Sequence, residues 1–146
     1  MGGDPLPHTP RLGRGATLTA LLDTNVVIRH LTGDPPALAK RATRLLAREE
    51  LLLTDTVFAE TVFVLESFYE VPRARTAELM RAALALPGIR ALDTVLLLRA
   101  LDVYEHSRLH FVDAYLVAVA ELSGVKAIAS FDQGLDRIPS ITRASP

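Results

Sequence analysis

The sequence predicts an α/β protein, a three-layer α/β/α sandwich in which a short, mostly parallel sheet is flanked by helices. Three observations predict it. Short apolar runs of strand length alternate along the chain with longer segments of helical period. The segments between the runs are too long for hairpins, which implies parallel strands joined by right-handed crossovers with helices on both faces. The length of 146 residues, with 49% hydrophobic and 23% charged, suits one domain around one core, and no internal repeat is visible.

Each element has its own signal. Residues 1–17, MGGDPLPHTPRLGRGAT, hold four Gly and three Pro without apolar periodicity, so they read as a flexible N-terminal extension, either native or a remnant of expression. The folded domain is expected over 18–146. Its first strand is the run Leu18 to Leu22, which stops abruptly at Asp23-Thr24-Asn25, and Val26 to Leu31 then begins a helix. Asp34-Pro35-Pro36 starts the next, with Asp34 as cap, proline in the first turn, and Leu38, Ala42, Leu45 and Leu46 on one apolar face ending near Glu50. Leu51 to Thr54 is a short strand. DTVFAETVFVLESFYEV is too long for a strand and apolar on more than one side, which reads as a largely buried helix with Pro72 just past its end.

An amphipathic helix from about Arg73 to Leu86 follows, with Ala77, Met80, Ala83 and Leu84 inward and Pro87-Gly88 closing it. IRALD is a further strand, and Asp93-Thr94 caps the helix through VLLLRALDVYEHS. After a break at Ser107 to His110, the very apolar helix VDAYLVAVAELSG terminates at Gly124, and VKAIAS is the final strand.

Composition narrows the chemistry. The chain has no cysteine, so disulfides and thiolate metal sites are excluded, and a metal would be held by oxygen or by the four histidines. A cytoplasmic location is expected, since no segment reaches the roughly 18 uninterrupted apolar residues of a membrane span and no secretion signal is visible. The formal net charge of −1 argues against gripping nucleic acid through a bulk positive field. Of the 16 basic residues 14 are arginine, which suits bidentate phosphate recognition and is equally explained by codon preference.

In sheets of this kind ligands bind beyond the carboxyl ends of the strands. Asp23 follows the first strand and Asp132 the last, so both belong to one region if those strands are neighbours. Two further acids sit on apolar helix faces. Glu60 has Val57 three residues before it and Phe63 and Val64 three and four after; Asp113 has Leu116, Val117 and Ala120 on its side. An ionised carboxylate is almost never fully buried without a partner, so each needs a cation or a route to water. Taken singly, each acid has an ordinary reading: Asp23 as a helix cap, Glu60 paired with Arg29 or Arg99, Asp113 complementing a helix dipole, Asp132 in the turn SFDQG.

Together they read differently. Four carboxylates facing one crevice repel by roughly 3 kcal/mol per pair at about 5 Å and an effective dielectric near 20, so the cluster needs protonation or a bound cation. All-oxygen ligation points to Mg²⁺ or Mn²⁺, which keeps waters and substrate phosphate in its shell and serves phosphoester chemistry.

The segments LLDTNVVIRHL, the glutamate in TDTVFAETVFVLESFYEV, FVDAYLVAVAELSG and AIASFDQGLDRI together resemble the PIN domain family, close to its VapC-type toxins of type II toxin–antitoxin pairs. The resemblance spans about residues 19–139 and rests on four acids in the family's order, each in a matching apolar context. It implies a PIN-like fold and Mg²⁺- or Mn²⁺-dependent cleavage of single-stranded RNA. It also implies Asp23 as the central metal ligand, Glu60 and Asp113 as further members of the acidic site, and Asp132 as the fourth acid. A metal held by Asp23 and Asp113, directly or through water, is expected. Ser130 matches a small hydroxyl residue ahead of the last acid, and Asn25 the polar position after the first. Arg29 is a candidate for substrate contact. A cognate antitoxin and a homodimer are implied as partners. One departure stands out: many relatives carry another acid three residues before the match to Asp113, and here that position is His110. The change either weakens a second metal site, places a substrate-facing imidazole there, or leaves a partly exposed loop histidine without a role.

Two other readings are weighed. Haloacid-dehalogenase-like phosphatases want a second Asp two residues after the first, where this chain has Asn25, and receiver domains want a lysine just after the last strand, where Lys126 instead stands at its start. A PIN-like module that binds RNA or protein without cutting is the non-enzyme alternative, and retention of all four acids speaks against it. Surface specificity falls to residues such as Arg29, Arg41, Arg44 and Arg48, unless they are ordinary solvated arginines.

Overall fold

The computed structural model describes residues 18–146; the expected N-terminal extension, 1–17, lies outside them. Three parallel strands lie in the order β1 (Ala20–Leu21), β2 (Leu51–Leu53) and β3 (Ile89–Ala91). Parallel neighbours require long crossovers. Helices α1 (Thr24–Thr32) and α2 (Pro36–Arg48) make the first; α3 (Asp55–Ser67) and α4 (Arg73–Leu84) make the second. Then α5 (Thr94–Glu105) and α6 (Phe111–Ser123) lead to β4 (Ala127–Ala129). A 3₁₀ turn over Gln133–Arg137 precedes β5 (Thr142–Ala144). The expected class holds, with short parallel sheets flanked by helices.

The sheet itself departs from expectation. β4 is not the final strand, and its ladder runs to β5 rather than to β1, so two small parallel sheets replace one. The reason is visible in β1, whose two residues are both exposed, Leu21 at 71%, and whose only strand partner among the described residues is β2.

The core lies between β2, β3 and the helices. Leu51, Leu53, Ile89 and Ala91 are buried, as are Leu97, Ala100, Leu101 and Tyr104 of α5 and Ala114, Val117 and Ala118 of α6. Alanines on both α5 and α6 let these two helices approach closely, and theirs is the most extensive helix pairing in the fold. The inward residues expected for α4 are buried at Ala77, Met80 and Ala83, while Leu84 is only partly covered. Burial of α3 is one-sided: Phe58, Thr61, Val62 and Leu65 face inward, and Phe63 stays 65% exposed.

Helix ends follow local chemistry. Thr54 caps α3 through Val57 N–H at 3.3 Å, and Asp93 caps α5 through Leu96 N–H at 3.0 Å. Gly124 closes α6 with φ 78°, a left-handed conformation that glycine adopts without penalty. Asp34 does not cap α2: Pro35 takes the cap position and Pro36 opens the helix, where a missing N–H costs nothing. Among the described residues no helix is long and apolar enough to cross a membrane.

Candidate active site at the strand ends

Asp23 holds the cap position of α1 with extended backbone (φ −92°, ψ 152°), yet its carboxylate makes no capping bond. Its backbone carbonyl accepts from Val26 and Val27 instead, and no ion pair or side-chain hydrogen bond engages it among the described residues. Aspartate is favoured at this position because its side chain usually satisfies a free N–H. Here the exposed carboxylate is left available at the carboxyl end of β1.

The next residue ties a second acid to the same helix end. Thr24, buried at 7% exposure, donates its hydroxyl to Glu60 Oε2 at 2.8 Å, linking α1 to α3 across 36 positions of sequence. The expected arginine pairing does not occur. Arg29 donates to the Asp34 carbonyl at 3.3 Å, and Arg99 engages Glu121 and Asp102. Glu60 is exposed, so its apolar face is reconciled by a route to water.

Asp113 stands half-buried in the first turn of α6, where its charge complements the helix dipole, and no side-chain partner engages it among the described residues. Two contacts seat this turn. Phe111 packs on Phe58 of α3 with ring centroids 5.4 Å apart, and the Tyr115 hydroxyl donates to Asp55 Oδ2 at 2.6 Å. That bond, with burial and the neighbouring charges of Asp55 and Asp93, pushes the Tyr115 phenol up to about 12.

Asp132 is exposed and takes a turn role as well: its Oδ1 accepts from Gly134 N–H at 2.8 Å, and Ser130 Oγ accepts from Asp132 N–H at 3.0 Å. Ser130 thus shapes the loop after β4, helped by Arg143, which donates to its carbonyl. Asp132 shares a cleft of about 360 Å³ with His106, Arg108, His110 and Arg137. His110 occupies the cap position of α6 without a side-chain cap bond and is exposed. Asn25 and Arg29 line a separate groove between α1 and α2, distinct from the Asp132 cleft.

Linkage between the four acids is therefore stepwise. Asp23 and Glu60 are joined through Thr24, α3 and α6 through Phe58 and Phe111, and the start of α6 shares a cleft with Asp132 through His110. The acids do not form a tight ligand cage. Among the described residues, Asp102, Glu105 and His106 are the one group of three whose ligand atoms lie mutually within 4.8 Å. That group is already compensated, Asp102 by Arg99 and Glu105 by Arg81, both at 2.7 Å. With Asp23, Glu60 and Asp132 all exposed, water shares their charge, and the repulsion expected of a close-packed quartet is correspondingly weaker.

The four acids offer only oxygen donors, the chemistry a hard divalent cation takes. Among the described residues Asp23 and Asp113 have no side-chain partner, and Mg²⁺ usually takes one or two direct carboxylates and fills its shell with water. Sequence reasoning overlooked three residues. Asp55 follows β2 as Asp23 follows β1, a signal that was legible; Tyr115 and Thr24 had none beyond proximity to an acid.

The profile of the PIN domain matches residues 20–141, and the chain belongs to that family. PIN domains are generally nucleases and use divalent metals. Among curated proteins none matches the chain.

Proposed function

We propose that this protein is an Mg²⁺- or Mn²⁺-dependent endoribonuclease that cleaves single-stranded regions of RNA. It acts in the cytoplasm as the homodimeric toxin of a toxin–antitoxin pair and is inhibited by a cognate antitoxin. The observation that carries the reading is Asp23, an acid at a strand's carboxyl end in a cap position, with no capping bond, beside a threonine that holds Glu60.

In this reading Asp23 and Asp113 hold the cation. A divalent ion there supplies charge neutralisation at the phosphate and a more acidic water. Glu60, oriented by Thr24, and Asp132, oriented by the loop from Ser130, accept or relay the proton released as water attacks phosphorus. Acids coupled through one site titrate together, so the base is the group rather than a single member. Direct attack by water leaves 5′-phosphate and 3′-hydroxyl ends. The antitoxin covers the acids and sets a basic side chain among them.

The reading is tested by sequencing RNA ends after induced expression. New 5′-phosphate ends within single-stranded regions are expected, absent with Asp23→Asn and suppressed by co-expression of a small protein encoded beside this one. An RNA population unchanged by expression of the wild-type chain would reject the proposal.

A further inference from the structure

The groove between α1 and α2 encloses about 660 Å³ and carries Asn25 and Arg29 from one helix and Arg41, Arg44 and Arg48 from the other. Residues 24–48 hold five basic side chains against one acid, Asp34, in a chain whose net charge is −1. The positive charge is thus concentrated on this hairpin of helices, and the balance elsewhere is acidic. Arg29, Arg41 and Arg44 have no carboxylate within 4.0 Å among the described residues, and Arg48 meets only Glu49 at 3.8 Å, with its own side chain 70% exposed. Guanidinium groups gathered without counter-charge favour an anionic ligand.

Spacing and lining narrow the ligand. Arg41, Arg44 and Arg48 follow one helix face and rise by about 4.5 and 6 Å along its axis, so successive guanidiniums can address successive anions on one strand. Arginine matches phosphate through its two-pronged donor geometry. Leu38, 40% exposed, and the partly buried Leu45 add apolar surface to the same groove, which suits unpaired bases rather than a closed duplex. Asn25 places the groove's beginning two residues from Asp23.

We infer that the α1–α2 groove is a docking track for the phosphate backbone of single-stranded RNA, leading to the acids at the end of β1. This rests on the endoribonuclease reading for its choice of RNA over an acidic peptide. The track also reconciles an acidic chain with a polyanionic substrate, because local rather than net charge does the binding.

The test is fluorescence anisotropy of a labelled single-stranded RNA in EDTA across a salt series, comparing wild type with R41Q/R44Q/R48Q. Glutamine keeps helix propensity close to that of arginine. Affinity at low salt should fall at least about 10-fold, and the slope of log K against log salt should fall by about 2, roughly 0.7 for each lost phosphate contact. R75Q on α4, far in sequence from the groove, should change neither. If circular dichroism shows the triple variant unfolded, R44Q alone should lower the slope by about 0.7. A folded triple variant, or a folded R44Q, with wild-type affinity and slope overturns the inference, as does a polyglutamate peptide that binds with the same arginine dependence while RNA binding ignores it. Adding Mn²⁺ separates the two claims. RNA bound through these arginines but left uncut counts against the nuclease reading alone, and RNA cut by an enzyme whose binding ignores them counts against the track alone.

Discussion

Thr24→Val removes one hydroxyl and almost no volume from a residue that is 7% exposed. The bond lost is the 2.8 Å donation to Glu60 Oε2. A hydrogen bond to a charged group is worth about 1.5–3 kcal/mol when both partners are sequestered, but Glu60 is exposed and water can replace the donor, so the net cost should be about 1 kcal/mol. For a domain of this size that is a fall of roughly 3–5 °C in Tm. The effect on function should be larger than the effect on stability. Glu60 would lose the donor that orients its carboxylate, and in the proposed mechanism an acid that accepts the proton is then misplaced. The rate of RNA cleavage in Mn²⁺ should drop by about 10-fold or more, while Thr24→Ser, which keeps the hydroxyl, should restore it. A wild-type rate in Thr24→Val, with the modest destabilisation present, would show that Glu60 needs no tether and that the link between α1 and α3 is structural only.

Further outcomes concern the scaffold. Gly88→Ala places a Cβ 2.4 Å from the Glu49 carbonyl oxygen and 2.9 Å from that of Leu46, both backbone atoms at the end of α2. Denaturant unfolding should show a loss above about 2 kcal/mol, and a change under about 0.5 kcal/mol would mean that this junction yields freely. Arg99, by its hydrogen bond first, and Ser140 hold the Glu121 carboxyl below its ordinary 4.5 against the opposing pull of burial. A folded pKa below the unfolded one stabilises fully above about 4.5 and loses that contribution as pH falls through the folded value. The stability difference between wild type and Glu121→Gln, measured by urea unfolding, should therefore be present near pH 7 and shrink steadily below about pH 4.5. A difference that grows on acidification would reverse the assignment.

Much of the fold was legible because burial and helical period coincide. The inward set of α4, Ala77, Met80 and Ala83, and the stop of α6 at Gly124 follow directly from the pattern. β5 was not legible: Thr142-Arg143-Ala144 has no apolar run, and it becomes a strand only because β4 offers it a ladder. Asp34 looked like the cap of α2 by residue type, but the helix begins one residue later than that reading required, behind Pro35. At the candidate site, the abrupt end of an apolar run on Asp23 marked the start of α1, where the structure has Asp23 in the cap position. That its carboxylate would leave the cap bond unmade depends on side-chain orientation, which the sequence does not encode locally. The Thr24–Glu60 bond spans 36 positions and the arginine groove depends on how α1 and α2 pack, so both are products of tertiary arrangement.

The most direct test of the account is cleavage of a single-stranded RNA by the purified protein, with Mn²⁺ or with EDTA, beside Asp23→Asn, with the product ends determined chemically. Cleavage that requires Mn²⁺, disappears in the variant and leaves 5′-phosphate and 3′-hydroxyl ends is the predicted result. Cleavage that persists in EDTA or in Asp23→Asn, or that leaves 2′,3′-cyclic phosphate, would contradict it.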